Sequence, residues 1–215
     1  MLRIATHADI PAMLEIYGPY VLTSTATFEY TVPTQEEFRQ RFDTITAQYP
    51  WLVWEVGPLL EGTILERLGT NMVSLFMITA QYPWLVWEEG GEILGYAYAS
   101  APYSRAAYAW CAEPSIYLRD EAKGRGIGTK LYAALESILE KQGYHILYAL
   151  VTAENEESVA FHEKFSYQKR AFFPDCGVKF GRWLGLFWME KRLKTVEIPT
   201  EFPVPWLSIG QKGEK

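Results

Sequence analysis

The sequence predicts one domain of the mixed α/β class. Three observations lead there. Segments of helical period alternate with segments of strand period along the chain. Residues 144–151 carry the β-branched and aromatic run of a buried strand. A glycine-rich turn, Gly124 to Gly128, stands directly before an amphipathic stretch. With 215 residues, 49% of them hydrophobic, the chain has apolar material for one full core. A single domain over residues 1–194 and an irregular, proline-bearing tail over 195–215 follow. The net charge of -6 argues against a general nucleic-acid or anionic-membrane surface. Two cysteines, Cys111 and Cys176, make neither a disulfide framework nor a metal site, so no metal is expected. The first residues lack the uninterrupted apolar region of a signal peptide, which makes the cytoplasm the expected location.

In chain order, residues 2–5 read as a short strand. Asp9-Ile-Pro11 opens a helix whose Ile10, Met13, Leu14 and Ile16 or Tyr17 can face a core, with an end expected near Gly18 and a continuation over 20–28. A polar and aromatic connection, residues 24–29, precedes a second helix capped by Thr34 and running to about Ala47. Trp84-Leu-Val-Trp then leads through Gly90-Gly91 into residues 93–100 as a β-hairpin. Residues 101–112 read as an aromatic loop and 114–119 as a strand. In the stretch after the glycine turn, Ile127, Leu131, Leu135, Ile138 and Leu139 lie at helical spacing and Gly143 ends the helix. Residues 144–151 form a buried strand, Asn155 caps a short helix to Phe165, and 179–183 with 186–192 make a last hairpin-like pair.

One anomaly stands inside this order. Ile45-Thr-Ala-Gln-Tyr-Pro-Trp-Leu-Val-Trp-Glu55 recurs letter for letter, 33 residues further on, as the stretch from Ile78 to Glu88. Solenoid repeats of similar period need several degenerate copies, whereas here two are identical and everything between them differs. A local duplication inserting about residues 45–77 into an ordinary domain is the expectation, with the second copy as the hairpin strand.

The glycine turn reads as an anion cradle. At a helix N-terminus the first N–H groups lack intrahelical partners and the macrodipole is positive, while Gly124, Gly126 and Gly128 have no Cβ to keep a phosphate away. The dinucleotide fingerprint and the P-loop pattern both fail here. Lys123-Gly-Arg-Gly126-Ile-Gly128 instead resembles the acetyl-coenzyme A loop of the GNAT N-acetyltransferase superfamily, with Lys at a position usually Gln or Arg. The flanks extend the likeness to the phosphinothricin acetyltransferase branch over about residues 2–193. They are Ala8-Asp-Ile-Pro11, Thr23-Ser-Thr-Ala-Thr-Phe28, Tyr82-Pro-Trp-Leu-Val86, Gly95-Tyr-Ala-Tyr-Ala99, Arg105-Ala-Ala-Tyr-Ala-Trp110, Ala112-Glu113, Tyr117, Phe161-His162-Glu and Lys179-Phe-Gly-Arg-Trp183. Ser166, where the family's short helix exits through Gly, and Gly185, where related chains often carry Asp, depart from it.

The resemblance implies the GNAT fold and transfer of acetyl from acetyl-CoA to a small amino-acid-like amine, of the phosphinothricin or methionine sulfoximine type. Such chemistry needs a base for the ammonium proton, an N–H donor for the developing oxyanion and a proton donor for the leaving thiolate. Glu113 is the expected base, made less acidic by partial burial beside Trp110 and Tyr117. His162 is the expected proton donor. The implied cofactor contacts are Ile116, Tyr117 and Leu118 through backbone pairing, then Lys123, Gly124, Arg125, Gly126, Ile127, Gly128 and Thr129 in the turn, with Asn155 and Ser158 on the short helix. On the acceptor side Arg105 would pair with a carboxylate or phosphinate, and Phe28, Tyr108 and Trp110 would wall the side chain. Polyamines, antibiotics and protein N-termini stay open as acceptors, as does a non-catalytic acyl-CoA-binding role. A homodimer is expected.

Overall fold

A computed structural model describes residues 1–46, 82–194 and 198–206. They form β1 (Leu2–Ile4), α1 (Ile10–Thr23), α2 (Gln35–Thr46), β2 (Trp84–Glu89), β3 (Glu92–Ser100), β4 (Cys111–Leu118), α3 (Ile127–Gln142), β5 (Ile146–Thr152), α4 (Glu156–Lys164), β6 (Gln168–Lys179) and β7 (Arg182–Arg192). Among the described residues the strands make one seven-stranded sheet in the order β1-β2-β3-β4-β5-β7-β6. The β4–β5 pair is parallel and the other neighbours are antiparallel. This is the mixed α/β class that the alternating periods call for.

β2 shows why its sequence is a continuous apolar run rather than an alternation. Successive strand residues point to opposite faces, and both faces are covered. Trp84 and Val86 join a cluster with Met13, Ile16 and Tyr17 of α1 and with Phe38 and Phe42 of α2. Leu85 joins a cluster on the other face with Leu131, Leu135 and Leu139 of α3. These three leucines are fully buried, each contributing about 1.5–3 kcal/mol, so packing rather than intrinsic helix propensity holds α3 in place. Gly90 and Gly91, at φ 60° and 86°, close the β2–β3 hairpin with the left-handed turn that glycine permits. The second copy of the repeat thus supplies β2. The first copy beyond Thr46, the expected end of α2 at Ala47, the start of the second copy and the Val73–Met77 run all lie outside the described residues.

Three boundaries differ from the sequence expectation. α1 does not stop near Gly18 but continues through Pro19 to Thr23, and residues 24–28 are not helical. An internal proline costs about 3 kcal/mol, and burial of Tyr17 and Val21 offsets it. β4 begins at Cys111, ahead of Pro114, so the loop is shorter than expected. β6 extends back to Gln168; its residues 168–176 are all exposed, which leaves no period to read, and Pro174 and Gly177 further disguise it.

Two closures matter for the site. Asn155 caps α4 by accepting from Ser158 N at 3.2 Å. α4 exits through Ser166 at φ 69°, with Ser166 N donating to Glu163 O and Tyr167 N to His162 O, the double bond pattern of a left-handed C-terminal cap. Residues 198–206 contain no strand or α-helix, yet they pack onto the body. Trp110 Nε1 donates to Glu201 O at 2.8 Å, its ring stacks on Phe202, and Gln142 Nε2 donates to Val204 O at 2.9 Å. No helix among the described residues is long and apolar enough to cross a membrane.

Candidate active site

The site begins where a ladder stops. β4 and β5 pair only at Cys111 with Ile146 and Ala112 with Leu147, then diverge. Pro114 falls just beyond this point, where no β5 acceptor calls for its missing N–H. The wedge between the strands widens into a groove of about 570 Å³ lined by residues 113–118 of β4 and 149–152 of β5. The glycine turn lines one part of it, and Asn155, Ser158, Phe161 and His162 of α4 line another. Ala26, from the α1–α2 connection, and Tyr20 complete the wall.

The three glycines serve two purposes. Gly124 and Gly126 sit at φ 73° and 76°, and a Cβ at either would meet nothing within 4 Å, so the left-handed turn, not crowding by protein, calls for glycine there. Both line the groove with their backbone open to it. Gly128 instead allows close approach: a Cβ there would stand 3.0 Å from Leu118 Cδ1. α3 therefore starts hard against β4, with its unpartnered first-turn N–H groups at the groove, and a diphosphate fits such a cradle. Lys123 adds an ammonium at the rim, held by Asp120 at 2.7 Å.

Glu113 and His162 both line the groove. Glu113 is half-buried, burial pushes its carboxyl above the usual range, and among the described residues no side chain donates to it. His162 is buried on α4 against the edges of Tyr132 and Tyr167, at ring distances of 5.5 and 5.2 Å. Its Nδ1 lies 2.7 Å from Ser158 O, and a carbonyl only accepts, so the proton is on Nδ1 and Nε2 carries the lone pair. Burial lowers its pKa, which keeps the ring neutral at pH 7.

Of the expected cofactor contacts, Ile116, Tyr117, Leu118, Lys123, Gly124, Gly126, Gly128, Thr129, Asn155 and Ser158 line this one groove. Arg125 does not; it pairs with Glu89. Ile127 points into the core on α3. The four expected acceptor residues are not in the lining either. Phe28 packs at Gly177, where a Cβ would come within 2.9 Å of its ring. Arg105 and Tyr108 are exposed on the 101–110 loop, the Tyr108 ring tilted against Tyr103, and Trp110 lies under Phe202. Sequence reasoning missed Tyr20, Ala26 and Thr152 as lining residues. Thr152 Oγ1 donates to Thr25 O at 2.9 Å, a link between distant segments that no local pattern announces.

Comparison with known proteins agrees with this geometry. The model of the acetyltransferase (GNAT) family matches residues 24–167, the span that holds the wedge, the glycine turn, Glu113 and His162. The chain belongs to the GNAT acetyltransferase family. Within that family it is 29% identical over 190 residues to the phosphinothricin N-acetyltransferase of Streptomyces viridochromogenes, covering 88% of this chain and 86% of that one. It is 28% identical over 193 residues to the L-methionine sulfoximine/L-methionine sulfone acetyltransferase of Pseudomonas aeruginosa, covering 89% of this chain and 94% of the relative. Among solved structures, a GNAT phosphinothricin acetyltransferase from Sinorhizobium meliloti in complex with AcCoA superposes with a TM-score of 0.76. It shares 33% identity over 95% of each chain. The GNAT fold expected from the resemblance is thus the fold found.

Proposed function

We propose that this acetyltransferase moves the acetyl group of acetyl-CoA to the primary amine of a small amino-acid-like molecule of the phosphinothricin or methionine sulfoximine type. The carrying observation is the β4–β5 wedge, which has a helix N-terminus with an open glycine cradle along one side and an unpartnered, half-buried carboxylate on its lining. Acetyl-CoA, when bound, supplies an activated acyl thioester. The backbone of Gly124 and Gly126 and the first turn of α3 are suited to hold the diphosphate, with Lys123 and Thr129 at its edge. Ile116 offers its backbone to the wedge, where β5 has turned away, for a pantetheine arm to pair as an added strand; the Leu118 N–H and C=O beside it are already bonded to Tyr20 Oη, and Tyr117 lies in register with Tyr96 of β3.

Glu113 acts as the base. An ammonium has no lone pair, and a carboxylate made more basic by burial takes its proton more readily than an exposed one. His162 enters neutral. Its Nδ1 proton is committed to Ser158 O, so any proton it delivers to a leaving thiolate must first be taken up at Nε2. The names of the relatives favour an amino-acid analogue as the acceptor. We also propose a homodimer, because Phe172, Phe173, Phe180 and Trp183 of the β6–β7 hairpin are large apolar side chains left exposed; size-exclusion chromatography with light scattering tests it.

Thiol release measured with a panel of amines tests the activity. Phosphinothricin and methionine sulfoximine are expected to turn over, and a polyamine, an aminoglycoside and a peptide N-terminus to give far less. Acetyl-CoA binding with no thiol release from any amine would instead make the chain an acyl-CoA-binding protein without catalysis.

A further inference from the structure

Lys179 is an oddity of placement. It is the last residue of β6, a strand exposed over residues 168–176, yet it is only 2% exposed itself. No carboxylate lies within ion-pair distance of it among the described residues. The carboxylate that acts on it electrostatically, Glu29, accepts from Arg41 Nη2 at 2.6 Å. Lys179 Nζ donates instead to two backbone carbonyls, Ser24 O at 2.8 Å and Thr27 O at 2.6 Å. An ammonium withdrawn from water needs good partners, and both of its partners belong to the connection between α1 and α2.

The two residues before it grip the same connection. The Phe28 ring lies over Gly177, where any Cβ would collide with it. Tyr30 Oη donates to Val178 O. From the far side, Thr152 at the end of β5 donates to Thr25 O. Residues 24–30 are therefore fastened to the end of β6 at three consecutive positions and to β5 at one. Between the two carbonyls that Lys179 holds stands Ala26, which lines the groove together with Glu113 and Thr152. The glycine turn, Asn155 and Ser158 belong to other elements.

We propose that Lys179 is a positioning residue for the acceptor amine: its buried ammonium fixes the 24–27 segment as the wall facing the acceptor, and it acts on amine binding without acting on acetyl-CoA binding. The proposal rests on the acetyl-transfer reading above. A lysine suits the task because one tetrahedral ammonium reaches two carbonyls three residues apart, which a neutral hydroxyl with one proton cannot do. Removing it takes the ammonium from both part-buried carbonyls and frees the wall.

The test uses the full chain, the best amine from the panel, calorimetric acetyl-CoA binding and hydrogen exchange. Lys179→Met is expected to raise the amine KM at least tenfold, to keep the acetyl-CoA Kd within twofold, and to lose exchange protection over residues 24–30 alone. Lys179→Arg, which keeps charge and donors, is expected to bring KM back to within threefold of the parent. A parental amine KM in Lys179→Met, or a loss of acetyl-CoA affinity by the same factor, overturns the proposal. If Lys179→Met does not fold, Tyr30→Phe reads the same fastening from an exposed residue: a twofold or larger rise in amine KM at unchanged acetyl-CoA Kd supports it, and an unchanged KM overturns it. A parent that turns over no amine counts against the acetyl-transfer reading instead, and exchange then decides: loosening confined to 24–30 supports the fastening, and none, or loosening throughout, overturns it.

Discussion

A half-buried carboxylate without a donor, such as Glu113, weakens the fold whenever it is ionised, and that links its proposed role as base to stability. Its folded pKa lies above its ordinary value of 4.5 because burial disfavours the charge. Between the two values the folded state binds more protons than the unfolded one, so stability falls as pH rises through that window and stays lower above it. Glu113→Gln removes the charge. The variant should melt above the parent at pH 8, with the gap closing below pH 4.5, while kcat falls about 10²-fold or more. Calorimetry across pH together with steady-state kinetics checks both halves; a variant no more stable at pH 8, or one with parental kcat, refutes the assignment. Ser166 makes a simpler case. It holds φ 69° at the C-terminal cap of α4, a conformation that costs a side-chain-bearing residue about 1–2 kcal/mol and glycine little. Ser166→Gly should therefore stabilise the chain by about 1 kcal/mol, or about 2–4 °C in Tm. An unchanged or lower Tm would mean that the serine side chain repays its own strain.

At the scale of elements, α3 and its glycine turn do two jobs with separate residues. Ile127, Leu131, Leu135 and Leu139 bury one face in the core, while Gly126, at the helix N-cap, leaves its backbone open to the groove. Asp is favoured at an N-cap and tolerates left-handed backbone better than most residues, so Gly126→Asp should keep the helix. The carboxylate would stand where a diphosphate is expected, and acetyl-CoA affinity should drop at least tenfold, about 1.4 kcal/mol. Circular dichroism and isothermal titration check the two statements together, and unchanged affinity in a folded variant would remove the cradle from the cofactor site. The β4–β5 wedge is the other element-scale device. Because the ladder ends at Ala112 and Leu147, the β5-facing side of the next β4 residues is left for a ligand, and Glu113 is the first of them.

For the whole molecule the question is what the repeat does to it. Deleting residues 45–77 joins Thr44 to Ile78 and restores Ile-Thr at the end of α2, followed by the same residues that precede Trp84. Every described residue outside the deletion then keeps its sequence neighbours, with Ile78 and Thr79 standing in for Ile45 and Thr46. Closure entropy changes slowly with loop length, about 0.6 kcal/mol for each doubling, so a parent that carries the extra stretch need not depend on it. The deletion variant is expected to be soluble, with a Tm no lower than the parent's and with parental acetyl-CoA affinity. Aggregation, or a lower Tm with a changed oligomeric state, would show that residues 45–77 have become structural.

Local pattern by itself determined a good deal of this protein. Helical spacing in α3, the Gly90-Gly91 hairpin, the Asn155 cap and the glycine turn are each set by residues within a few positions of one another, and chain order alone brings their elements into the expected class. Glu113 and His162, which line the groove, were read from the resemblance to the GNAT superfamily and not from a local pattern of this kind. Tertiary structure alone decided the rest. β6 has no buried face to give it a period, and its place was fixed only by pairing with β7. Trp110, read as an acceptor wall, was taken by Glu201 and Phe202 of the tail. Lys179 reaches Ser24 across 155 residues of sequence. Contacts of this kind come from a sheet bringing remote segments together, and the residues that make them carry no mark of their partners until it has formed.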